Sequence, residues 1–277
     1  MTRSTAIQRQ TLAFIGGGNM ASAIIGGLLR EGVPASQIEV VEPFAEARSR
    51  LQSQFGVLAQ ESAGPALARA QLVVWAVKPQ TFRQAVQQVR AHTASALHLS
   101  VAAGIRSDSI ATWLGTQRIV RSMPNTPALV GKGMTALFAR SGVTPDDKRV
   151  VEVVVATMGE SLWVDQERQL DAVTALSGSG PAYVFYFLEA MVEAGVEMGL
   201  SAPQARRLAI GTFGGASALA NASEDSLELL RQRVTSKGGT TQAALTSMEQ
   251  DHLKTLFIKA LHAAGKRATE LGDEFGA

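Results

Sequence analysis

The sequence predicts an α/β chain of two domains: a doubly wound parallel sheet over residues 1–166, then an all-helical domain over residues 167–277. Three observations carry this. The 277 residues exceed one ordinary core and suit two. In the first half, short apolar runs alternate with helical periodicity. After about Gln166 no strand pattern remains.

The strands are read at Leu12–Ile15, Ile38–Val41, Leu72–Ala76, Leu97–Val101 and Ile119–Ser122. Leu72-Val73-Val74-Trp75-Ala76-Val77 shows the type: continuously apolar, as in a parallel strand covered on both faces. Helical patterns lie between them, near Asn19–Arg30, Ala45–Gln54, Gly64–Arg69, Thr81–Ala91 and Ser107–Leu114. Alternation of this kind argues for a doubly wound sheet. A further strand pair, Met134–Ala139 and Ser161–Val164, flanks a helix starting near Pro145, where Asp146 and Asp147 suit the positive helix end.

The second half reads as helices at Tyr183–Gly199, Pro203–Ala220, Ser226–Gln232 and Thr240–Leu271. Pro181 and Pro203 stand near helix starts, where a missing N–H costs least. Tyr183-Val184-Phe185-Tyr186-Phe187-Leu188 is apolar almost all round, and such a helix must be buried on almost all sides. A second subunit is the expected cover, which makes this a dimerisation domain; packing against the first domain is the alternative.

Composition narrows the function classes. Hydrophobic residues at 46% and charged residues at 18% exclude a disordered chain. A net charge of +2 with scattered basic residues does not suit nucleic acid. There is no Cys, hence no disulfide, no thiolate nucleophile and no Cys-ligated metal, and the chain fits the cytoplasm. His92, His98, His252 and His262 show no ligand spacing, so no metal site is expected. The uncharged stretch Thr11–Leu29 has the length of a membrane span. Its glycines and its mid-course change from strand to helix argue against insertion.

Gly16-Gly17-Gly18-Asn19-Met20-Ala21 fits G-x-G-x-x-G/A between a strand and a helix. Gly16 permits the tight turn, Gly18 lets the backbone approach a pyrophosphate, and small Ala21 lets helix and strand pack closely. The free N–H groups of the helix then meet the phosphate charge. The first domain is therefore expected to be of Rossmann type and to bind NADH or NADPH. Glu42 ends the second strand, where an acid hydrogen-bonds the ribose 2′-OH of NAD and repels a 2′-phosphate. On charge this leans to NADH, with Arg48 and Arg50 near enough to favour the phosphate instead. Glu42→Ala is then expected to improve NADPH relative to NADH; the alternative is a solvated acid at a strand end. The same sheet edge should present Val77-Lys78-Pro79, Val101-Ala102-Ala103-Gly104 and Met123-Pro124-Asn125-Thr126-Pro127.

Together these segments resemble one family, the pyrroline-5-carboxylate reductases. The likeness rests on Ile15-Gly16-Gly17-Gly18-Asn19-Met20-Ala21, Ala76-Val77-Lys78-Pro79 and Met123-Pro124-Asn125-Thr126-Pro127. It rests further on Leu176-Ser177-Gly178-Ser179-Gly180-Pro181-Ala182-Tyr183 and Val234-Thr235-Ser236-Lys237-Gly238-Gly239-Thr240-Thr241. The resemblance implies reduction of the cyclic imine 1-pyrroline-5-carboxylate to L-proline. It implies a homodimer through the helical domain, or a decamer as a ring of five dimers. It places Ile15, Gly16, Gly17, Gly18, Asn19, Met20, Ala21, Glu42, Ala76, Val77, Lys78, Pro79, Val101, Ala102, Ala103 and Asn125 on the cofactor.

By the same resemblance the Thr241 hydroxyl is the catalytic group at the imine nitrogen. Ser236, Gly239 and Thr240 hold the substrate carboxylate, and Glu224 is a further substrate residue. A plainer reading makes Ser236–Thr241 a helix cap, with Thr240 opening the helix; the two are compatible. Lys237 stands where the family usually has proline, and Arg233 where some members carry Asn. Two rivals stay open at this point. One is a 3-hydroxy acid dehydrogenase of similar architecture, and the other a non-catalytic NAD(P)H sensor.

Overall fold

The structure, a computed structural model, describes residue 7 and residues 10–276. Its first half alternates as expected: β1 Thr11–Ile15, α1 Asn19–Arg30, β2 Ile38–Val41, α2 Ala45–Phe55, β3 Ala59–Gln60, β4 Ala70–Trp75, α3 Pro79–Val89, β5 Leu97–Ser100, α4 Ser107–Leu114 and β6 Ile119–Met123. Then follow β7 Gly133–Ala139, α5 Pro145–Ala156, β8 Gly159–Trp163 and the short α6 Gln169–Val173. One sheet takes the order β3-β2-β1-β4-β5-β6-β7-β8. All pairings are parallel except β6 with β7.

Alternation along β4 explains its unbroken hydrophobicity. Leu72 and Val74 join one core cluster with Phe14, Ile24 and Leu28. Val73 and Trp75 join the other with Ile15, Phe82 and Val86. Each strand residue thus meets a helix layer on its own face, and burying such a side chain stabilises the fold by about 1.5–3 kcal/mol. Thr144 and Asp147 close a reciprocal cap at the start of α5, so Asp147 serves that helix end by hydrogen bonding as well as by charge.

Several expectations are corrected. Residues 65–69 form a 3-10 turn, not an α-helical run. β4 stops at Trp75, and Pro79 is the first residue of α3, so Val77-Lys78-Pro79 is the turn that follows the strand. The two-residue β3 carries no periodicity and was not expected. A π-helical turn, Thr174–Gly178, continues from α6. The long helix expected over Thr240–Leu271 is two helices, α10 Thr240–Gln250 and α11 Leu253–Phe275. Between them His252 takes a left-handed φ of 54°, which no helix tolerates. The remaining helices are α7 Gly180–Glu197, α8 Ala202–Asn221 and α9 Leu227–Arg233.

By compactness the chain forms one unit that runs to Ser179 and resumes at Ala264, and a second unit of Gly180–Ala263. This division differs from the 166/167 boundary, because the last turns of α11 pack with the sheet unit. Arg106 pairs with Asp273 at 2.7 Å, and Thr269 Oγ1 donates to Asp171 Oδ2 at 3.2 Å. In the second unit α7 and α8 approach closely at Gly195, where a Cβ would stand 2.9 Å from that of Ala205. Phe185, Tyr186, Leu208, Leu219 and Leu256 stay more than half exposed there. That is the uncovered apolar surface expected of helices hydrophobic on several sides.

One buried polar pair crosses the sheet. His98 on β5 is 1% exposed, and its Nδ1 accepts the indole N–H of Trp75 at 3.1 Å. Burial lowers its pKa from 6.5 to about 4, against the opposing hydrogen bond at Thr93. The unfolded chain therefore binds a proton that the folded chain refuses within that window. Stability should be full above pH 6.5, fall by about 3 kcal/mol towards pH 4, and level off below. Urea midpoints of wild type and His98→Gln, measured at pH 7 and pH 4.5, check this. Equal acid sensitivity in both would mean that His98 is not the source.

Candidate functional site

The carboxyl ends of β1, β4, β5 and β6 lie side by side, so the segments that follow them share one edge. The strand order reverses between β1 and β4, which is where ligands of open α/β sheets bind. This edge carries the turn Gly16–Ala21, then Ala76–Pro79, Val101–Ala103 and the Met123–Asn125 loop. The ladder bonds run on past the strand ends: Gly16 N–H donates to Val41 O, Ala76 N–H to Ile15 O and Val101 N–H to Trp75 O, at 2.8, 2.8 and 3.1 Å.

Gly16 is required on two counts. Its φ is +96°, and a Cβ would meet Ala76 O at 2.5 Å. Gly18 is different, for a Cβ there would meet nothing within 4 Å. The space in front of Gly18 is thus open. No side chain caps α1, whose N-cap is Gly18, so the first N–H groups of that helix remain without a capping acceptor. Ala21 is fully buried where helix and strand pack. Open space, uncapped donors and a helix dipole at a switch point fit the pyrophosphate of a dinucleotide. Lys78 is the N-cap of α3, and it is exposed.

Glu42 is turned toward the protein, which rules out the solvated-acid alternative. It is only 5% exposed. Oε2 accepts the Gly17 N–H at 2.7 Å and Oε1 accepts the Phe44 N–H at 2.9 Å. Asn125 is also engaged: its Nδ2 donates to Ser177 O at 3.1 Å and its Oδ1 accepts Met134 N–H at 2.9 Å. The asparagine thereby ties the loop after β6 to the π-helical turn. There Gly178 packs against the Met123 side chain: a Cβ would lie 2.5 Å from Met123 Cε, the movable end of that chain.

A buried charge network under this edge has no counterpart in the sequence reading. The Arg121 side chain, 4% exposed, pairs with Glu167 at 2.9 Å. Glu167 also accepts the Ser107 N–H at 2.6 Å and the Ser107 hydroxyl. Arg140 reaches the same hydroxyl and Asp108. One carboxylate thus joins β6, the start of α4 and the segment after β8. The partners are separated by 46 and 60 positions, so no local pattern marks them.

The proposed substrate residues all belong to the second unit. Gly238 has φ +75° and its N–H donates to the side chain of Gln242. Gly239 N–H donates to Ser236 O at 3.1 Å, and a Cβ at Gly239 would stand 2.5 Å from Ser236 Oγ. The structure makes Gly239 the N-cap and Thr240 the first residue of α10, with no side-chain cap. The segment thus forms a helix start that Thr240 opens, as expected, but the cap is the Gly239 backbone rather than a side chain. Glu224 is exposed in the turn between α8 and α9. Its neighbour Asp225 is paired to Arg233, at the end of α9 and directly before Val234-Thr235-Ser236. The pair brings the Glu224 turn to the base of the Ser236–Thr241 turn. Arg233 is occupied in this way, and Lys237 is exposed.

No group of three or more metal-ligating side chains is found among the described residues, and no helix there is long and apolar enough to cross a membrane. The family model described as pyrroline-5-carboxylate reductase dimerisation matches residues 167–271. A model described as NADP oxidoreductase, coenzyme F420-dependent, matches residues 11–104. The chain is 43% identical to a pyrroline-5-carboxylate reductase of Pseudomonas aeruginosa, over 96% of this chain and 98% of that one. It is 35% identical to one of Arabidopsis thaliana, over 94% and 95%. Among solved structures, a pyrroline-5-carboxylate reductase from Coxiella burnetii superimposes with a TM-score of 0.88 at 39% identity, covering 95% of this chain and 98% of that one. A Plasmodium falciparum pyrroline carboxylate reductase with NADP bound gives 0.86 at 27% identity, covering 96% and 99%.

Proposed function

The chain belongs to the pyrroline-5-carboxylate reductase family, and from that premise we infer how its own residues carry the reaction. It is an oxidoreductase that reduces 1-pyrroline-5-carboxylate to L-proline with NAD(P)H, the final step of proline biosynthesis. The observation that carries this is 43% identity to a named reductase along almost the whole chain.

NAD(P)H, when bound, supplies the hydride. Residues 1–166 are read as the dinucleotide-binding domain. Ile15–Ala21 receives the pyrophosphate at the uncapped start of α1, supported by the open space at Gly18. Ala76–Pro79, Val101–Ala103 and Asn125 line the neighbouring strand ends, and Glu42 sits behind the turn. Residues 167–277 are read as the helical dimerisation and substrate domain, a reading supported by the dimerisation match over 167–271.

Ser236, Gly239 and Thr240 hold the substrate carboxylate at the uncapped start of α10, a helix end suited to an anion. The Thr241 hydroxyl donates a hydrogen bond to the ring nitrogen, which makes the imine carbon more electrophilic; as hydride arrives the nitrogen takes up a proton through this hydroxyl, which regains one from water. Glu224 completes this pocket, supported by the Asp225–Arg233 pair that anchors its turn. Assembly of dimers into a ring of five extends the reading, as does a cytoplasmic location for an enzyme of small soluble metabolites.

Steady-state kinetics with 1-pyrroline-5-carboxylate test the proposal, NADH compared with NADPH. The expected result is imine-dependent oxidation of at least one cofactor and formation of proline. Oxidation of neither would sink it.

A further inference from the structure

Glu42 occupies the end of β2, where an acid that reads the ribose ordinarily stands. Its carboxylate faces the protein instead. Both oxygens accept backbone N–H groups, one from Gly17 and one from Phe44, at 2.7 and 2.9 Å. The side of Gly17 is pressed by the same residue: a Cβ would lie 3.3 Å from Glu42 Cγ and Oε2, and 2.7 Å from Leu51 Cδ1. The Gly17 N–H therefore points at a protein carboxylate and is not a donor for phosphate. A charged acceptor bound to a buried N–H is stronger than a neutral one, and it fixes the peptide plane on which Gly18 follows.

Arg48 lies at the same strand end. Its Nη1 donates to Glu42 O and Pro43 O at 2.9 and 2.7 Å, which fixes the guanidinium there. Among the described residues Nη2 meets Glu61, at 3.3 Å, through a carboxylate 75% exposed. An exposed pair of this kind contributes little and gives way to a stronger anion. A fixed guanidinium suits a phosphate dianion. Glu46, in the first turn of α2, and Glu61 are the acids it must work against.

We propose that Glu42 is a positioning residue that holds the glycine turn without reading the ribose, and that Arg48 sets the preference between NADPH and NADH. The proposal rests on the cofactor reading above and replaces the expectation that Glu42→Ala favours NADPH.

Fluorescence titration of the full chain with NADH and with NADPH tests it, on wild type, Glu42→Ala, Glu42→Gln and Arg48→Ala. Glu42→Ala should weaken both cofactors by about tenfold, the scale of a lost hydrogen bond to a charged group, with their ratio held within about threefold. Glu42→Gln, which keeps one accepting oxygen, should recover part of the loss for both and covers the case in which the alanine variant fails to fold. In turnover, KM for both cofactors should rise in the glutamate variants while kcat at saturation stays within about twofold, a split that general unfolding would not produce. Arg48→Ala should weaken NADPH by about tenfold and leave NADH within about twofold. A Glu42→Ala chain that loses NADH alone, or that binds both as wild type does, would overturn the role of Glu42. Equal effects of Arg48→Ala on both cofactors would overturn that of Arg48. Wild type that binds neither cofactor would overturn the cofactor reading and this proposal with it. Wild type that binds both but reduces no imine leaves the binding ratios, and so this proposal, to stand.

Discussion

Thr241→Ala is expected to lower turnover of 1-pyrroline-5-carboxylate by roughly 10- to 1,000-fold, the range for a lost proton-transfer or hydrogen-bonding group. Binding of NADH and NADPH should change little. The geometry makes the experiment clean. Thr241 is the second residue of α10, and no side chain caps that helix, so removing the hydroxyl breaks no cap. Alanine also has the higher helix propensity, so the local fold should not suffer. The loss must then come from chemistry. Thr241→Ser keeps the hydroxyl and should retain most of the activity. The quantity to measure is kcat at saturating cofactor and imine, beside a cofactor titration. Turnover within about twofold of wild type in the alanine variant would remove Thr241 from the catalytic role.

Much of the sheet unit was legible because its signals are local. Helix α1, strand β2 and helix α4 have the bounds that periodicity and caps predict. The turn at Gly16 was legible for a related reason: a strand, a glycine turn and a helix follow one another within a dozen residues. Features that depend on distant partners were not. An acid at position 42 announces a strand end, but its direction is set by Gly17, 25 positions earlier, and by the helix that brings Leu51 against the turn. The break at His252 falls inside an unbroken helical pattern and shows only in the backbone. The compact division after Ser179 depends on the end of α11 returning to Arg106 and Asp171, across 98 to 167 positions. At the Ser236–Thr241 turn, sequence supplied the residue types through resemblance. The structure added the uncapped helix start and the Asp225–Arg233 tie.

The network around Glu167 is the strongest case of such distant dependence, and it carries the largest expected effect on stability. Glu167→Ala would leave the Arg121 guanidinium, 4% exposed, without its carboxylate. It would also leave the Ser107 N–H without its acceptor at the start of α4. Breaking a buried pair from one side costs about 3–5 kcal/mol, because the remaining charge stays desolvated. For a chain of this size that corresponds to a fall in Tm of roughly 10 °C, with a matching drop in the urea midpoint. Removing the charge from both sides separates this cause from simple loss of packing. Arg121→Met combined with Glu167→Gln leaves no buried ion, and the amide oxygen still accepts the Ser107 N–H. That double variant should therefore be more stable than Glu167→Ala by about 2 kcal/mol or more. A double variant no more stable than Glu167→Ala would show that burial of Arg121 is not what makes the loss expensive. A Glu167→Ala cost below about 1 kcal/mol would place the pair with ordinary surface ion pairs. The site should respond together with the fold. Glu167 joins β6 and the first residue of α4, and the cofactor-edge loops begin at the ends of β5 and β6. Activity in the alanine variant should thus decline at temperatures well below its melting midpoint, as those loops lose their common anchor.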